Sequence, residues 1–232
     1  MRIKICGLFR EQDIDYVNEA RPDYIGFVFA RSARQVSATL AQYLRFRLAD
    51  EITPVGVFMN TPINDVAALF LNGTISAAQL HGCEDDSYIA QLKRKCTENG
   101  KPSKIKIIKT INISEIFNTM SDPRQSDKPK RKKSNSHSTE SPLLNSLSNA
   151  ADYFLIDSGS GSGKSFDWKL LNSLKINKPW FLAGGINSDN IEDAIALNPF
   201  AVDVSSGAET DGIKDREKIL QLTAIAKKGN IK

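Results

Sequence analysis

Trp180–Thr210 reads WFLAGGINSDNIEDAIALNPFAVDVSSGAET, and this stretch decides the fold. Trp180 to Ala183 is a short apolar run that breaks at Gly184-Gly185, after which a helical pattern runs from Ser188 through Ile191, Ala194, Ile195 and Leu197. Ala201 to Val204 is a second apolar run, and it breaks at Ser205-Ser206-Gly207. In each loop a glycine lets backbone N–H groups turn toward an anion with no Cβ in the way, and the helix start after the first loop adds the positive end of a dipole. One such loop alone reads as an ordinary strand-to-helix turn. A pair of them, after each of the last two strands, is where a (β/α)8 barrel binds a substrate phosphate.

Upstream of this stretch the same alternation continues to the first residues. The strand candidates are Arg2 to Cys6, Tyr24 to Phe29, Pro54 to Phe58, Ala77 to Leu80, Lys104 to Thr110, Tyr153 to Asp157, Trp180 to Ala183 and Ala201 to Val204. Helical patterns fall near Glu11 to Ala20, Ser37 to Ala49, Pro62 to Leu71, Asp85 to Thr97, Trp168 to Leu174, Ser188 to Leu197 and Asp215 to Lys228. Strands alternating with longer helices imply parallel pairing through crossovers, so the expectation is a (β/α)8 TIM barrel as one domain over residues 1–232. The fifth helix is weak. In its place Asn118 to Asn149 is rich in Ser, Lys, Asn and Pro and almost free of aromatics, so it reads as a disordered or loosely ordered polar and basic insertion after the fifth strand.

The 232 residues are 41% hydrophobic and 25% charged, ordinary for a globular protein. Much of the formal charge of +4 lies in Lys128-Pro-Lys-Arg-Lys-Lys133. Such a run resembles a nucleic-acid patch but inside a polar insert is more often solvated charge, and the rest of the chain offers no broad basic face, so no nucleic-acid partner is expected. Cys6, Cys83 and Cys96 have no C-x-x-C spacing and, with two histidines, make no recognisable zinc pattern. No stretch has the apolar length of a signal peptide or a membrane span. The expected compartment is the cytoplasm, and no membrane partner is expected.

Active groups in a TIM barrel stand just after the strand C-termini, and that position selects Cys6, Arg34, His81 and Asp157 in addition to the two loops. Cys6 is either a small core residue or reactive, and His81 is either a satisfied structural histidine or part of the site. Arg34 either pairs with a surface carboxylate or captures a substrate carboxylate through its planar fork. Asp157 closes an apolar strand, which calls for a compensating purpose. Gly159 to Ser165 looks like a phosphate-binding P-loop, but that motif requires glycine at position 158, where the chain has Ser158.

Taken together, KICGL, IGFVFARSARQVS, VGVFMN, QLHG, IDSGSGSGKSFDW, FLAGGINSDNI and VDVSSGAETDGIKD closely resemble the phosphoribosylanthranilate isomerase family. The resemblance implies a TIM barrel without metal or cofactor that performs an Amadori rearrangement of N-(5'-phosphoribosyl)anthranilate in tryptophan biosynthesis. It also implies that Cys6 is the general base and Asp157 the general acid, and that Arg34 meets the anthranilate carboxylate. His81 would line the same substrate site, and Gly184, Gly185, Ser205, Ser206 and Gly207 would hold the phosphate. The sequence departs from the family pattern where Ala33 replaces a proline before Arg34, and where Ser160 to Gly163 replaces a glycine doublet. The implied partner is a small phosphosugar, with the protein a monomer or homodimer. A catalytically idle phosphosugar-binding barrel and a nucleic-acid-associated protein using the basic insert are the alternatives.

Overall fold

A computed structural model describes residues 1–97, 104–112, 148–157, 168, 171 and 176–228. The strands are β1 (Arg2–Cys6), β2 (Tyr24–Val28), β3 (Thr53–Phe58), β4 (Ala77–Leu80), β5 (Lys106–Asn112), β6 (Tyr153–Asp157), β7 (Trp180–Ala183) and β8 (Ala201–Val204). They form a closed barrel in sequence order. All pair in parallel, and the barrel closes where Lys4 of β1 lies opposite Asp203 of β8. The described helices are α1 (Glu11–Ala20), α2 (Ala38–Arg47), α3 (Ile63–Leu71), α4 (Asp86–Thr97), α5 (Ile191–Ala196) and α6 (Arg216–Lys228). The fold expectation holds, with β5 beginning at Lys106 rather than Lys104. The expected insertion at 118–149 lies outside the described residues except for Ser148 and Asn149, as does the expected helix at 168–174 except for Trp168 and Leu171.

Strand residues alternate between two cores because successive side chains point to opposite faces. Ile3, Ile5, Ile25, Phe27, Ala78, Leu80, Leu182 and Val202 face outward into one large cluster with the helices. Val55, Ala77, Ile108, Leu155, Phe181, Ala183 and Ala201 pack inside the barrel. Tyr24, Tyr153, Phe181 and Phe200 pack ring against ring, with centroids 5.0 to 6.5 Å apart, and Arg2 caps Phe200 at 4.4 Å. Tyr24, Tyr153 and Phe200 stand at the N-terminal ends of β2, β6 and β8, so this cluster seals that end of the interior. The other end is where polar groups gather.

Helix α5 is shorter than the periodicity suggests, because Asn187 to Asn190 satisfy their own backbone. Asn190 Oδ1 accepts from the Asn187 N–H at 2.9 Å and Asn187 Oδ1 from the Asp189 N–H at 2.8 Å, bonds that compete with helix formation until Ile191. A hairpin absent from the strand pattern follows β8: β9 (Glu209–Thr210) pairs antiparallel with β10 (Ile213–Lys214). Its turn is Asp211-Gly212, with φ of 51° and 77°, the paired left-handed conformation that two-residue hairpins favour.

Candidate active site

Lys4 is fully buried inside the barrel, between the aromatic seal and the open end. Its ammonium donates to Asp203 Oδ2 at 2.7 Å and to Gln79 Oε1 of β4 at 2.9 Å. Cys6, two residues further along β1 and so on the same interior face, lies above it. A side chain on Gly26, its lateral partner on β2, would come within 2.6 Å of Cys6 Sγ, so glycine there makes room for the thiol. Burial pushes the Cys6 thiol above its ordinary pKa; Lys4 acts in the opposite direction by charge and hydrogen bond, Asp203 raises the value and Lys214 lowers it. The net direction is upward, so the cationic neighbours that a thiolate needs are present while the ligand-free site still favours the neutral thiol.

Cys6, Arg34, His81, Asp157, Gly184, Gly185, Ser205 and Ser206 all line one cleft of about 600 Å³ at the C-terminal ends of the strands. Asp157 ends β6, and its Oδ2 lies 3.8 Å from Nε2 of His81, which follows β4. Arg34 donates from Nε and Nη2 to the two oxygens of Glu209, both at 2.6 Å. Buried Lys214 shares that carboxylate and also donates to the Ser205 carbonyl at 3.1 Å. Burial raises the Glu209 pKa, but the bonds and charges of Arg34 and Lys214 outweigh it and the net direction is down. For Lys214 burial prevails and the net direction is also down.

The two small-residue loops converge. Gly184 and Gly185 adopt φ of 102° and 66°, left-handed conformations that glycine reaches without strain. Ser205 donates to the Cys6 carbonyl at 3.2 Å, and Ser206–Ala208 form a single 3-10 turn. Gly207 does not line the cleft: a Cβ on it would lie 1.9 Å from the Ile186 carbonyl oxygen. Its small size therefore serves the close passage of one loop over the other, and space for an anion is shaped by it indirectly.

Comparison with known proteins gives this geometry a lineage. Residues 3–128 and 118–224 match the family described as N-(5'-phosphoribosyl)anthranilate (PRA) isomerase. The chain is 40% identical over 230 residues to the N-(5'-phosphoribosyl)anthranilate isomerase of Endomicrobium trichonymphae, covering 97% of each. This chain belongs to the N-(5'-phosphoribosyl)anthranilate isomerase family. Among solved structures it is similar to TrpF from Jonesia denitrificans, with a TM-score of 0.75 at 30% identity, covering 100% of this chain and 98% of that one. It is also similar to a phosphoribosyl anthranilate isomerase in complex with reduced 1-(o-carboxyphenylamino)-1-deoxyribulose 5-phosphate, with a TM-score of 0.69 at 29% identity, covering 98% and 99%.

Within this isomerase-family barrel, reading the sequence selected residues at strand ends and missed those below and beside them. Lys4, Gln79 and Asp203 sit inside runs that otherwise read as apolar strands, and a polar or charged residue at an interior position was the available signal. Glu209 and Lys214 flank an Asp-Gly dipeptide, the local signal by which a two-residue hairpin can be found.

Proposed function

We propose that the protein isomerises N-(5'-phosphoribosyl)anthranilate to 1-(2-carboxyphenylamino)-1-deoxy-D-ribulose 5-phosphate in tryptophan biosynthesis, with Cys6 as general base and Asp157 as general acid. The observation that carries this reading is that Cys6 and Asp157, on strands that are not neighbours, line one cleft with both small-residue loops and Arg34. Protonated Asp157 donates to the furanose ring oxygen; the C1–O bond breaks, and the nitrogen lone pair forms a C1=N iminium. The Cys6 thiolate then removes the C2 proton, the C–H electron pair forms C1=C2, and the nitrogen is neutralised. The resulting enolamine moves its C2 hydroxyl proton to C1, giving the ketone.

Positioning does much of the work in such a scheme. A guanidinium has five N–H donors, and Glu209 engages Nε and Nη2 of Arg34, which leaves the remaining donors for the anthranilate carboxylate. The converging glycine and serine loops supply backbone donors for the phosphate, and His81 borders the reacting sugar beside Asp157. A cytoplasmic setting belongs to the same reading, supported by the free cysteines Cys6, Cys83 and Cys96. Among the described residues no helix is long and apolar enough to cross a membrane.

The reading is tested by growth of a tryptophan auxotroph that lacks this isomerase step: expression of the chain should restore growth, and absence of growth with folded protein in the cells would overturn the proposal. With purified protein, Cys6→Ser and Asp157→Asn should each lower kcat by about 10² to 10⁴ with little change in KM.

A further inference from the structure

The reaction scheme leaves one interior charge unused. Lys4 has no solvent exposure, and below it the barrel interior is filled by aliphatic and aromatic side chains. A buried ion pair is a poor way to gain stability, because desolvation offsets much of the attraction and apolar side chains of the same volume would serve as well. An ammonium has three N–H donors. Two go to Gln79 and Asp203, and Cys6, two residues further along β1 on the same interior face, stands next above in reach of the ammonium's charge. Asp203, which lines the cleft, keeps its second oxygen, Oδ1, buried and without a hydrogen-bond partner.

We propose that Lys4 is the positioning residue for Cys6, supplying from beneath the counter-charge that stabilises the sulfur when it ionises, and that Asp203 sets how much of that charge reaches it. The proposal rests on the reading of Cys6 as the base. The charged groups facing Cys6 are Lys4 on its own strand, Asp203 from β8, Arg34 from the loop after β2, and Lys214 from β10. Of the influences that favour the thiolate, Lys4 is the largest, and the network around it explains its placement. When the sulfur is neutral, Asp203 takes the ammonium charge; when the sulfur ionises, the ammonium is shared between the two anions. Gln79, a neutral acceptor, fixes the ammonium without competing for its charge. Removing Asp203's charge should therefore ease ionisation of Cys6, and removing Lys4's charge should hinder it.

The test reads Cys6 directly, in ligand-free protein carrying Cys83→Ser so that the exposed thiol does not react, while Cys96 is fully buried. The rate of alkylation by iodoacetamide is followed against pH. Asp203→Asn should lower the midpoint. Adding Lys4→Met, which leaves no unpaired buried charge, should raise it relative to that single variant by about 1 to 3 pH units. For each unit raised, kcat/KM at neutral pH should fall by up to about tenfold, following the thiolate fraction. Lys4→Arg, which keeps the charge, should leave the midpoint near that of the unsubstituted network. Equal midpoints in the two folded variants would overturn the proposal whatever Cys6 does in turnover. Shifted midpoints together with unchanged kcat in Cys6→Ser would instead overturn Cys6 as the base, so the two failures are distinguishable. If the double variant does not fold, Asp203→Asn with Lys4→Gln takes its place, and a midpoint equal to that of Asp203→Asn alone would overturn the proposal in the same way.

Discussion

Gly26 illustrates how little of the catalytic geometry is carried by chemically active residues alone. A methyl group there would lie 2.6 Å from Cys6 Sγ and 3.2 Å from Cys6 Cα, and the backbone cannot move away from it cheaply. Gly26→Ala should displace the thiol by a fraction of its own diameter and lower kcat by about 10²-fold, the loss that a misplacement of about 1 Å produces; steady-state kinetics on protein of native circular dichroism checks this. Arg34→Ala should weaken substrate binding by about 1.5 to 3 kcal/mol while leaving the affinity for inorganic phosphate unchanged, as measured by calorimetry with each ligand. Its partner Glu209 gives a pH signature. A carboxylate whose pKa is lowered in the folded state contributes stability that is present above its ordinary value and is lost as the pH falls through the lowered one. Glu209→Gln should therefore flatten the acid side of the curve of stability against pH, seen by denaturant unfolding at a series of pH values.

At the scale of elements, the hairpin β9–β10 is a small structure with a large consequence, since it brings both Glu209 and Lys214 to the base of Arg34, which lines the cleft. Gly212 has φ of 77° and open space around it, so alanine there meets strain but no clash. Gly212→Ala should cost about 1 kcal/mol in stability and raise KM, through loosening of the carboxylate that holds Arg34; a Tm shift with unchanged KM would show that the hairpin does not set the grip. The hairpin also marks what periodicity leaves out. The eight barrel strands were legible because short apolar runs bounded by loops recur with helical segments between them, and Cys6, Asp157 and the two loops were legible because strand ends point at one rim. Strands of two residues have no period to detect. The start of α5 was misplaced for the opposite reason: Ile191, Ala194 and Ile195 do repeat with helical spacing, but the polar side chains from Asn187 to Asn190 cap and turn the chain before a helix can form. Beyond its expected place at the phosphate, Gly207 passes close to the Ile186 carbonyl, a contact between distant segments that no local pattern encodes.

For the molecule as a whole, the closed barrel accounts for both edges of its sheet, and the segment after β5 is expected to be a tolerated addition to it. Replacing residues 121–147 with a short Gly/Ser linker should leave kcat and Tm nearly unchanged, because loop-closure entropy varies slowly with length. The replacement should stop before Ser148, since Asp86 at the start of α4 accepts from the Ser148 hydroxyl and from the backbone N–H groups of Asn149 and Ala150. A large loss of activity in the shortened protein would show that the segment contributes to the cleft.

Closure through β1 and β8 has a further consequence for the making of the protein. Lys4 and Asp203 are separated by 199 positions, and the pair forms only when the last strand docks against the first. At ordinary ribosomal rates of about 5 to 20 residues per second, the nascent chain waits about 10 to 40 seconds between emergence of the thiol and emergence of the strand that closes the barrel beside it. Over that interval Cys6 is an unshielded cysteine on an unfinished polypeptide, open to oxidants and electrophiles from which the finished barrel largely hides it. Agents that trap free thiols during translation should therefore inactivate newly made chains far more readily than mature ones.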